Sequence, residues 1–411
     1  MGLFKRQKAR IQQARTDQTH EIVCLYCFRN FSHDRVLFRA ADAEGYRLQF
    51  DPILDEYRAK FHMDTAGELS PILDPDDFNE GAKSYFRNVL SSLRDDYGNL
   101  TAKRICPYCH NIIPQSAGYA PSRIISVVGA SQAGKSVYLT SLIHTLKTIT
   151  PRNFPIFCTP INNEMGRKFK IEYEEPLIEN GFLLDPTQKE KQQEPFIFTF
   201  SFSDETKPEI NIAFFDVAGE GILDTDYMDI YASNIRNSSG ILFLVDPMQF
   251  RTIGKKIQLK NDLSFNFTSE PVDVLSGLVE DYIYKQGGGV SEIPTAVILT
   301  KTDLLEALKN DGEYIQQDSN FFSNYTHRSF FNTLEFEKIN TEVNNLIADT
   351  DPNFRNALMR RFANLGFFAV SALGSRPDAG RVASFAPIRV DEPFLWILYK
   401  LGVIEGVERE D

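Results

Sequence analysis

Short apolar runs recur along the chain after residue 122, separated by longer stretches compatible with helix. Continuous apolar runs of this kind are typical of central parallel strands that are buried on both faces. They predict strands at 124–128, 196–200, 210–215, 241–245, 296–299 and 367–370. Because strands and helices alternate, we predict an α/β fold with a mostly parallel sheet. The short charged turn between the second and third strands predicts a hairpin and one antiparallel edge strand.

The N-terminal part has a different pattern, which predicts a separate module. Residues 1–20 are a polar, basic tail, and two cysteine pairs bracket residues 21–115. Between the pairs, residues 35–39 predict a strand, and residues 51–93 predict helical segments broken by prolines. The predicted domains are the tail at 1–20, a cysteine module at 21–115 with an inserted helical lobe at 28–105, and an α/β domain at 122–411. That domain carries long insertions at 150–194 and 251–293.

Composition and charge narrow the class of protein. The 411 residues are 42% hydrophobic, enough for a sizeable core, and their net charge of −12 argues against a general nucleic-acid coat. The sequence contains no run of about 18 apolar residues, so no membrane-spanning helix is predicted. The N-terminus lacks the apolar core of a secretion signal. We therefore expect a cytoplasmic protein. The basic tail predicts a solvated segment, with contact to a membrane surface, nucleic acid or an acidic partner as the alternative.

Residues 129–136 match the pattern G-x-x-x-x-G-K-[ST], between a predicted strand and a helix-competent stretch. Glycines let the backbone wrap a phosphate, while successive N–H groups and a helix N-terminus supply positive potential. The pattern predicts that Lys135 reaches the β- and γ-phosphates and that the Ser136 hydroxyl ligates Mg²⁺. The predicted cradle comprises Gly129, Ala130, Ser131, Gln132, Ala133, Gly134, Lys135, Ser136 and Val137.

Two motifs at later strand ends concern the metal ion and the base. Asp216 and Gly219 form Asp-x-x-Gly, whose carboxylate would hold Mg²⁺ and whose Gly219 N–H would contact the γ-phosphate. Thr300, Lys301 and Asp303 match [NT]-K-x-D. A carboxylate at Asp303 can pair with guanine N1–H and N2–H₂, whereas adenine would leave it unpaired. The motifs thus predict a site for GTP or GDP with Mg²⁺, with ATP as the alternative.

A third short motif follows the last predicted strand. Ser371, Ala372 and Leu373 occupy a loop whose backbone N–H groups could meet guanine O6. The tripeptide alone is a weak signal. We include it in the predicted base site because it follows the other motifs in the expected order.

Four of the five cysteines form two C-x-x-C pairs, Cys24 with Cys27 and Cys106 with Cys109. In a cytoplasmic protein this pairing indicates a metal rather than disulfides, and four thiolates complete a structural tetrahedral Zn²⁺ site. The long gap between the pairs predicts a zinc-ribbon-like module with an insertion. Four reduced thiols are the alternative. His33 and His110 are alternative ligands, and Cys158 is predicted to be a lone thiol.

Together the nucleotide motifs resemble a P-loop GTPase of the translation-factor-related (TRAFAC) class over residues 123–373. Within that class, the cysteine pairs, the loop at 129–136 and the run at 390–396 resemble the double-GTPase family of bacterial GTPase-associated conflict systems. The resemblance implies a Ras-like P-loop GTPase domain, GTP and Mg²⁺ binding, and slow hydrolysis gated by protein partners. Such partners would be an effector, an activator or a second GTPase in an antiviral defence or signalling system. A GTP-binding scaffold with negligible hydrolysis is the alternative.

The hydrolytic residues match the family less closely. The resemblance implies a first-switch threonine that ligates Mg²⁺, for which Thr187 is best placed and Thr159 is second. Glu220 stands where many relatives place a glutamine that orients the attacking water. We therefore predict Lys135, Thr187 and Glu220 as catalytic residues, with Ser136, Asp216 and Thr187 as Mg²⁺ ligands.

Overall fold

The computed structural model describes residues 19–41, 46–60, 63–185, 194–204, 207–216, 235–261, 270–278, 288–311, 314–325 and 327–409. The chain divides into two compact units. The first comprises residues 1–123, 156–166 and 190–213, and the second comprises 124–155, 167–189 and 214–411. The four paired cysteines belong to the first unit, and the loop at 129–136 belongs to the second.

The strands before residue 106 are short. They are β1 (Ile22–Val23), β2 (Asn30–Phe31), β3 (Leu37–Arg39), β4 (Gln49–Phe50), β5 (Glu68–Leu69), β6 (Ile72–Leu73), β7 (Lys83–Phe86), β8 (Val89–Arg94), β9 (Leu100–Thr101) and β10 (Arg104–Ile105). The later strands are β11 (Ser122–Gly129), β12 (Ile156–Pro160), β13 (Phe196–Phe202), β14 (Ile210–Asp216), β15 (Gly240–Val245), β16 (Thr295–Leu299), β17 (Phe331–Asn332), β18 (Leu365–Ala369) and β19 (Gly406–Val407).

The helices lie mostly in the second unit. They are α1 (Pro52–Lys60), α2 (Lys135–Thr148), α3 (Asn163–Phe169), α4 (Arg251–Asn261), α5 (Pro271–Leu278), α6 (Thr333–Thr350), α7 (Pro352–Arg361) and α8 (Glu392–Lys400). A wider helix, Lys170–Glu179, continues α3, and a tighter one spans Thr302–Asp311. No helix among the described residues combines the length and the apolar character that crossing a bilayer requires.

Seven strands form the central sheet, in the order β12-β13-β14-β11-β15-β16-β18. The pairs β11–β15, β15–β16 and β16–β18 are parallel, and every residue of β15 and β16 is buried. The predicted α/β fold and the parallel pairing of its central strands are therefore confirmed. The strands β13 and β14 predicted as a hairpin are neighbours in the sheet.

The edge strand β12 is antiparallel to β13 and lies in a segment that the sequence pattern assigns to a long connection. Only one of its faces is buried: Ile156 and Cys158 are buried, whereas Phe157 is 46% exposed. A strand with one solvated face lacks the continuous apolar run of the central strands, and Pro160 is tolerated at a sheet edge. These features explain why the pattern did not reveal it.

The predicted helical lobe between the cysteine pairs is wrong beyond α1. Residues 63–93 form strands and short turns, and β7, β8 and β9 make a three-stranded antiparallel sheet. The two-residue connection from β7 to β8 places both Arg87 and Asn88 at positive φ, 49° and 62°. Such a turn matches the twist of a hairpin, and its local geometry overrode the weak helical preference of the flanking residues.

A buried ionic cluster ties this insertion to the second cysteine pair. Asp51 contacts the Arg39 guanidinium through Oδ2, and its Oδ1 lies 2.8 Å from His110 Nδ1. The same Oδ1 accepts the Leu54 N–H at 3.1 Å, which caps α1. Burial acts to raise the pKa of Asp51, but the bonds from Arg39 and His110 outweigh it and hold that pKa below its ordinary value.

A second buried cluster lies where α8 begins. Arg389 Nη1 donates to both carboxylate oxygens of Glu392 at 2.8 Å, and its Nη2 donates to Glu335 Oε1 at 3.1 Å. His327 Nδ1 accepts the Asn332 N–H at 3.1 Å, so its Nε2 is the nitrogen that meets Glu392 Oε1 at 3.2 Å. Burial acts to raise the pKa of Glu392, but Arg389 and His327 outweigh it and lower that pKa.

Replacing Glu392 with alanine should strongly destabilise the protein, because the buried Arg389 would lose the carboxylate that accepts two of its hydrogen bonds and keep the bond from Nη2 to Glu335. The expected loss in the free energy of unfolding is about 3–5 kcal/mol, measured by urea denaturation at pH 7. Glu408→Ala, at an exposed position, is the control. A carboxyl with a lowered folded-state pKa stabilises above its unfolded value of about 4.3 and loses that contribution as the pH falls. The variant should therefore lose less stability on acidification than the wild type, and an equal loss would contradict the assignment.

Candidate nucleotide-binding site and metal centre

The loop at 129–136 lies at the point where the strand order of the sheet reverses. The chain leaves β11, builds the sheet on one side of it, and continues with β15 on the other side. In open α/β sheets, ligands bind in the crevice at such a switch point. The loop runs from the carboxyl end of β11 into the first turn of α2, so its backbone N–H groups lie at a helix N-terminus.

Backbone conformation gives the loop its tight curvature. Gly134 has φ of 84° and Gln132 has φ of 65°, a conformation that glycine adopts without strain and glutamine only at a cost. Gly129 serves close packing instead, since a Cβ there would lie 2.6 Å from the Leu244 carbonyl oxygen of β15. The loop is thus shaped by backbone requirements at specific positions.

Lys135 folds back over the loop from the start of α2. Its Nζ donates to the carbonyl oxygens of Gly129 at 3.0 Å and Ala130 at 2.9 Å, and the side chain is buried. The ammonium is therefore held inside the loop that the sequence predicts to cradle phosphate. A phosphate oxygen would bind this ammonium by replacing the two carbonyl oxygens as its hydrogen-bond acceptors.

Ser136 and Asp216 meet at the proposed magnesium position. The Ser136 hydroxyl donates to Asp216 Oδ2 at 2.6 Å, while Asp216 Oδ1 is buried with no hydrogen-bond partner among the described residues. Burial raises the pKa of Asp216 above its ordinary value, against the opposing effects of Lys135 and Ser136. A hydroxyl beside a buried carboxylate oxygen that lacks a partner is an oxygen set that fits Mg²⁺.

The motif at 300–303 is hydrogen-bonded to the loop at 129–136, which we call the phosphate loop after its predicted ligand. The buried Thr300 hydroxyl lies 3.1 Å from the Ala133 carbonyl oxygen and 3.2 Å from that of Val245. Lys301 adopts φ of 51°, and its Nζ donates to the Gln132 carbonyl oxygen at 2.8 Å and to Asp246 Oδ2 at 2.6 Å. Two consecutive residues thereby fix the position of this motif relative to the loop.

Asp303 is oriented by the loop that follows β18. Ser371 Oγ donates to Asp303 Oδ1 at 2.6 Å and accepts the Gly374 N–H at 3.0 Å. The Ala372 carbonyl oxygen accepts the Ser141 hydroxyl of α2 at 2.8 Å, and Leu373 is buried. The structure therefore brings the predicted base residues together and gives the Ser371 side chain a role that the sequence did not indicate.

Two predicted catalytic residues, Thr187 and Glu220, and the predicted γ-phosphate contact Gly219 lie outside the described residues. They stay predictions. Thr159, the second choice for the first switch, lies on β12, where its hydroxyl is 3.3 Å from the Thr199 carbonyl oxygen.

Sequence reasoning missed Asp246 and Ser141 at this site. Asp246 directly follows β15 at its carboxyl end, which is the signal that could have found it. Ser141 gives no such signal, because a serine within a helix carries no motif.

The four paired cysteines converge in the first unit. Their sulfur atoms all lie within 4.8 Å of one another, with 3.6 Å between Cys24 and Cys109 and 3.8 Å between Cys27 and Cys106. A tetrahedral site with Zn–S bonds of about 2.3 Å has sulfur–sulfur edges of about 3.8 Å. The cluster therefore has the dimensions of a four-thiolate metal site.

The two cysteine pairs share one backbone geometry. In the first, the Phe28 N–H donates to the Cys24 carbonyl oxygen at 2.9 Å, and Phe28 has φ of 62°. In the second, the His110 N–H donates to the Cys106 carbonyl oxygen at 3.0 Å, and His110 has φ of 55°. Two equivalent turns that each present two sulfurs to one point fit a tetrahedral ion. The His110 ring pairs with Asp51 instead of joining the cluster.

The chain was compared with protein-family models, curated sequences and solved structures. No protein-family model matches the chain. The chain is 25% identical, over 340 residues, to the putative ESX-1 scaffolding and assembly protein SaeC of Mycolicibacterium smegmatis, covering 74% of this chain and 81% of the relative. Among solved structures it is similar to the small GTPase Arl6 (BBS3) of Trypanosoma brucei with a bound nucleotide analogue, at 11% identity. That match covers 69% of this chain and 99% of the other with a TM-score of 0.28.

Replacing Cys106 with serine should remove bound metal and destabilise the first unit. The purified wild-type chain should carry about one zinc ion per molecule, measured by elemental analysis, and the variant markedly less. Cys158→Ser is the matched control, because Cys158 is a buried cysteine on β12 that is not part of the cluster. Wild-type protein without zinc, or a Cys158→Ser variant that loses as much, would contradict the assignment.

Proposed function

We propose that the chain is a Ras-like P-loop GTPase that binds GTP with Mg²⁺ and hydrolyses it as a molecular switch. The observation that carries this proposal is the placement of Asp303. Its carboxylate is oriented by Ser371 at 2.6 Å, in a motif that Thr300 and Lys301 bond directly to the phosphate loop. A carboxylate that accepts from guanine N1–H and N2–H₂ selects guanine over adenine.

The residues divide the chemistry between them. The loop N–H groups and Lys135 would bind the phosphates, and Ser136 with Asp216 would hold the Mg²⁺, joined by Thr187 as predicted from the sequence. When bound, Mg²⁺ supplies charge neutralisation at the β- and γ-phosphate oxygens. Glu220, as predicted, would orient the attacking water, and its negative charge near an anionic phosphate favours slow turnover in the absence of a partner.

A second candidate function is a GTP-binding scaffold with negligible hydrolysis. It is favoured by the name of the curated relative, a putative ESX-1 scaffolding and assembly protein. Under both candidate functions we propose that the protein has protein partners, holds a structural Zn²⁺ in the four-cysteine module and works in the bacterial cytoplasm. From the family resemblance we propose that the protein acts in a multi-protein conflict or defence system. The name of the relative supports a different proposal, that the protein assists the assembly of a larger complex.

Asp303→Asn should change the base preference of the site. We expect GTP affinity to fall about 10- to 100-fold, because a hydrogen bond to a charged group contributes about 1.5–3 kcal/mol. Xanthosine triphosphate should bind the variant better than GTP, since the amide can donate to the xanthine O2. Titration with fluorescent nucleotides measures both, and Asp318→Asn, at an exposed position, is the matched control. Unchanged GTP affinity in Asp303→Asn would remove this residue from the base site.

Single-turnover hydrolysis separates the switch from the scaffold. With protein in excess over labelled GTP and Mg²⁺, a switch should release phosphate, and Lys135→Ala should abolish the release because the charge that meets the phosphates is gone. Lys255→Ala, on an exposed face of α4, should not alter it. Bound GTP without phosphate release, even with partner proteins added, would exclude the switch and leave the scaffold.

A further inference from the structure

The loop after Ser371 folds back on itself before it reaches α8. Ser371 and Ile388 exchange backbone hydrogen bonds of 3.2 and 2.9 Å, and the Ala386 N–H donates to the Leu373 carbonyl oxygen at 2.9 Å. Gly374 has φ of 81°, and a Cβ there would lie 1.9 Å from the Ala386 carbonyl oxygen. The loop that orients Asp303 is therefore the base of a longer excursion, residues 371–388, which we call the strap.

The tip of the strap pairs with a distant segment of the second unit. The Leu183 N–H donates to the Gly380 carbonyl oxygen at 3.0 Å, and the Val382 N–H donates to the Gly181 carbonyl oxygen at 2.8 Å. The Arg381 guanidinium lies 4.6 Å from the centre of the Phe182 ring. Residues 181–183 thus form an antiparallel pairing with the strap.

Helix α2 supports both partners of this pairing. On the strap side, the Phe385 ring lies 5.5 Å from the His144 ring in an edge-to-face contact. On the other side, Glu174 accepts from Lys147 Nζ at 2.7 Å and lies 3.1 Å from His144 Nδ1. Glu174 belongs to the wider helix that ends at Glu179, just before Gly181. His144 therefore contacts the strap and the segment that leads to its pairing site.

We propose that the strap couples guanine recognition at Asp303 and Ser371 to the position of residues 181–183. This inference rests on the proposed function. Among the described residues, the pairing comprises two backbone hydrogen bonds and one ring contact at an exposed tip, an association weak enough for a bound ligand to bias. Thr187, the predicted first-switch residue, follows Leu183 by four positions in the sequence. Base occupancy would thereby fix the segment from which the predicted switch begins.

Hydrogen exchange can test the coupling with two ligands that share three linked phosphates, of which only GTP carries the ribose and the base. Saturation with GTP and Mg²⁺ should slow exchange of the Leu183 and Val382 amides by about 5- to 150-fold relative to saturation with Mg²⁺ and inorganic tripolyphosphate. Tripolyphosphate would occupy the phosphate loop and lacks the base that would contact Asp303. Equal protection by the two ligands would overturn the proposed coupling, because the base would then make no contribution to the protection of these amides.

Two glycine variants isolate the pairing. A Cβ at Gly181, which has φ of 68°, would lie 2.9 Å from the Val382 carbonyl oxygen, whereas Gly402, at φ of 69°, has nothing within 4 Å. Gly181→Ala should remove the extra protection given by GTP and, by reciprocity, weaken GTP binding by a similar factor. Gly402→Ala carries the same backbone strain and should keep both. Arg381→Ala, at an exposed position, is a second test that leaves both glycines intact and should reduce the effect.

The outcomes distinguish this inference from the proposed function. If fluorescent guanine nucleotide does not bind the wild type, the proposed function fails and the strap fails with it. If the nucleotide binds but Gly181→Ala retains the protection that the base adds, the strap alone is overturned.

Discussion

The Thr300 hydroxyl and the Lys301 ammonium hold the candidate site together, because both donate to carbonyl oxygens of the phosphate loop. A neutral hydrogen bond contributes about 0.5–1.5 kcal/mol net and one from a charged donor about 1.5–3 kcal/mol, so each bond alone is modest. Their effect is geometric. They fix the strand end that carries Asp303 against the loop that would hold phosphates, and Ser371 then sets the orientation of the carboxylate. The predicted base residue and the predicted phosphate-binding loop are thereby held in one hydrogen-bonded arrangement.

The four-cysteine cluster is a separate constraint within the first unit. Its cysteines come from two equivalent turns about eighty residues apart, and a small module built mostly of two- and three-residue strands has little apolar surface to bury. A metal ion would supply the cross-link that such a module lacks. Asp51 extends this constraint, since it caps α1 while pairing with His110 of the second turn and with Arg39 of β3. The insertion is thereby attached to the second cysteine turn by a buried charge.

Sequence patterns predicted the parts of the fold whose cause is local. Continuous apolar runs predicted the buried strands β15 and β16, and fixed glycine positions predicted the loop before α2. Strand β12 did not, because its solvated face, with Phe157 exposed, breaks the apolar run. The hairpin through Arg87 and Asn88 depends on two positive φ values that neither residue type requires.

The site shows the same division between local and distant causes. Asp303 is predicted from its motif, whereas its orientation by Ser371, and the contact of Ser141 with Ala372, join residues far apart in the chain. The positions of these serines in the sequence follow no periodicity or spacing from which such a contact could be predicted. The geometry around a predicted residue therefore came from tertiary packing, and the residue itself from the sequence.

The charges at the phosphate loop satisfy one another in the structure, and this shapes how a nucleotide would bind. Lys135 is held by the carbonyl oxygens of Gly129 and Ala130, and one oxygen of Asp216 is held by Ser136. A nucleotide with its metal ion must replace these internal bonds, so its affinity is the difference between two sets of charge-assisted contacts. The other oxygen of Asp216 is buried without a partner among the described residues, and burial raises the pKa of this carboxyl. A cation at this second oxygen would remove an existing cost without displacing a bond.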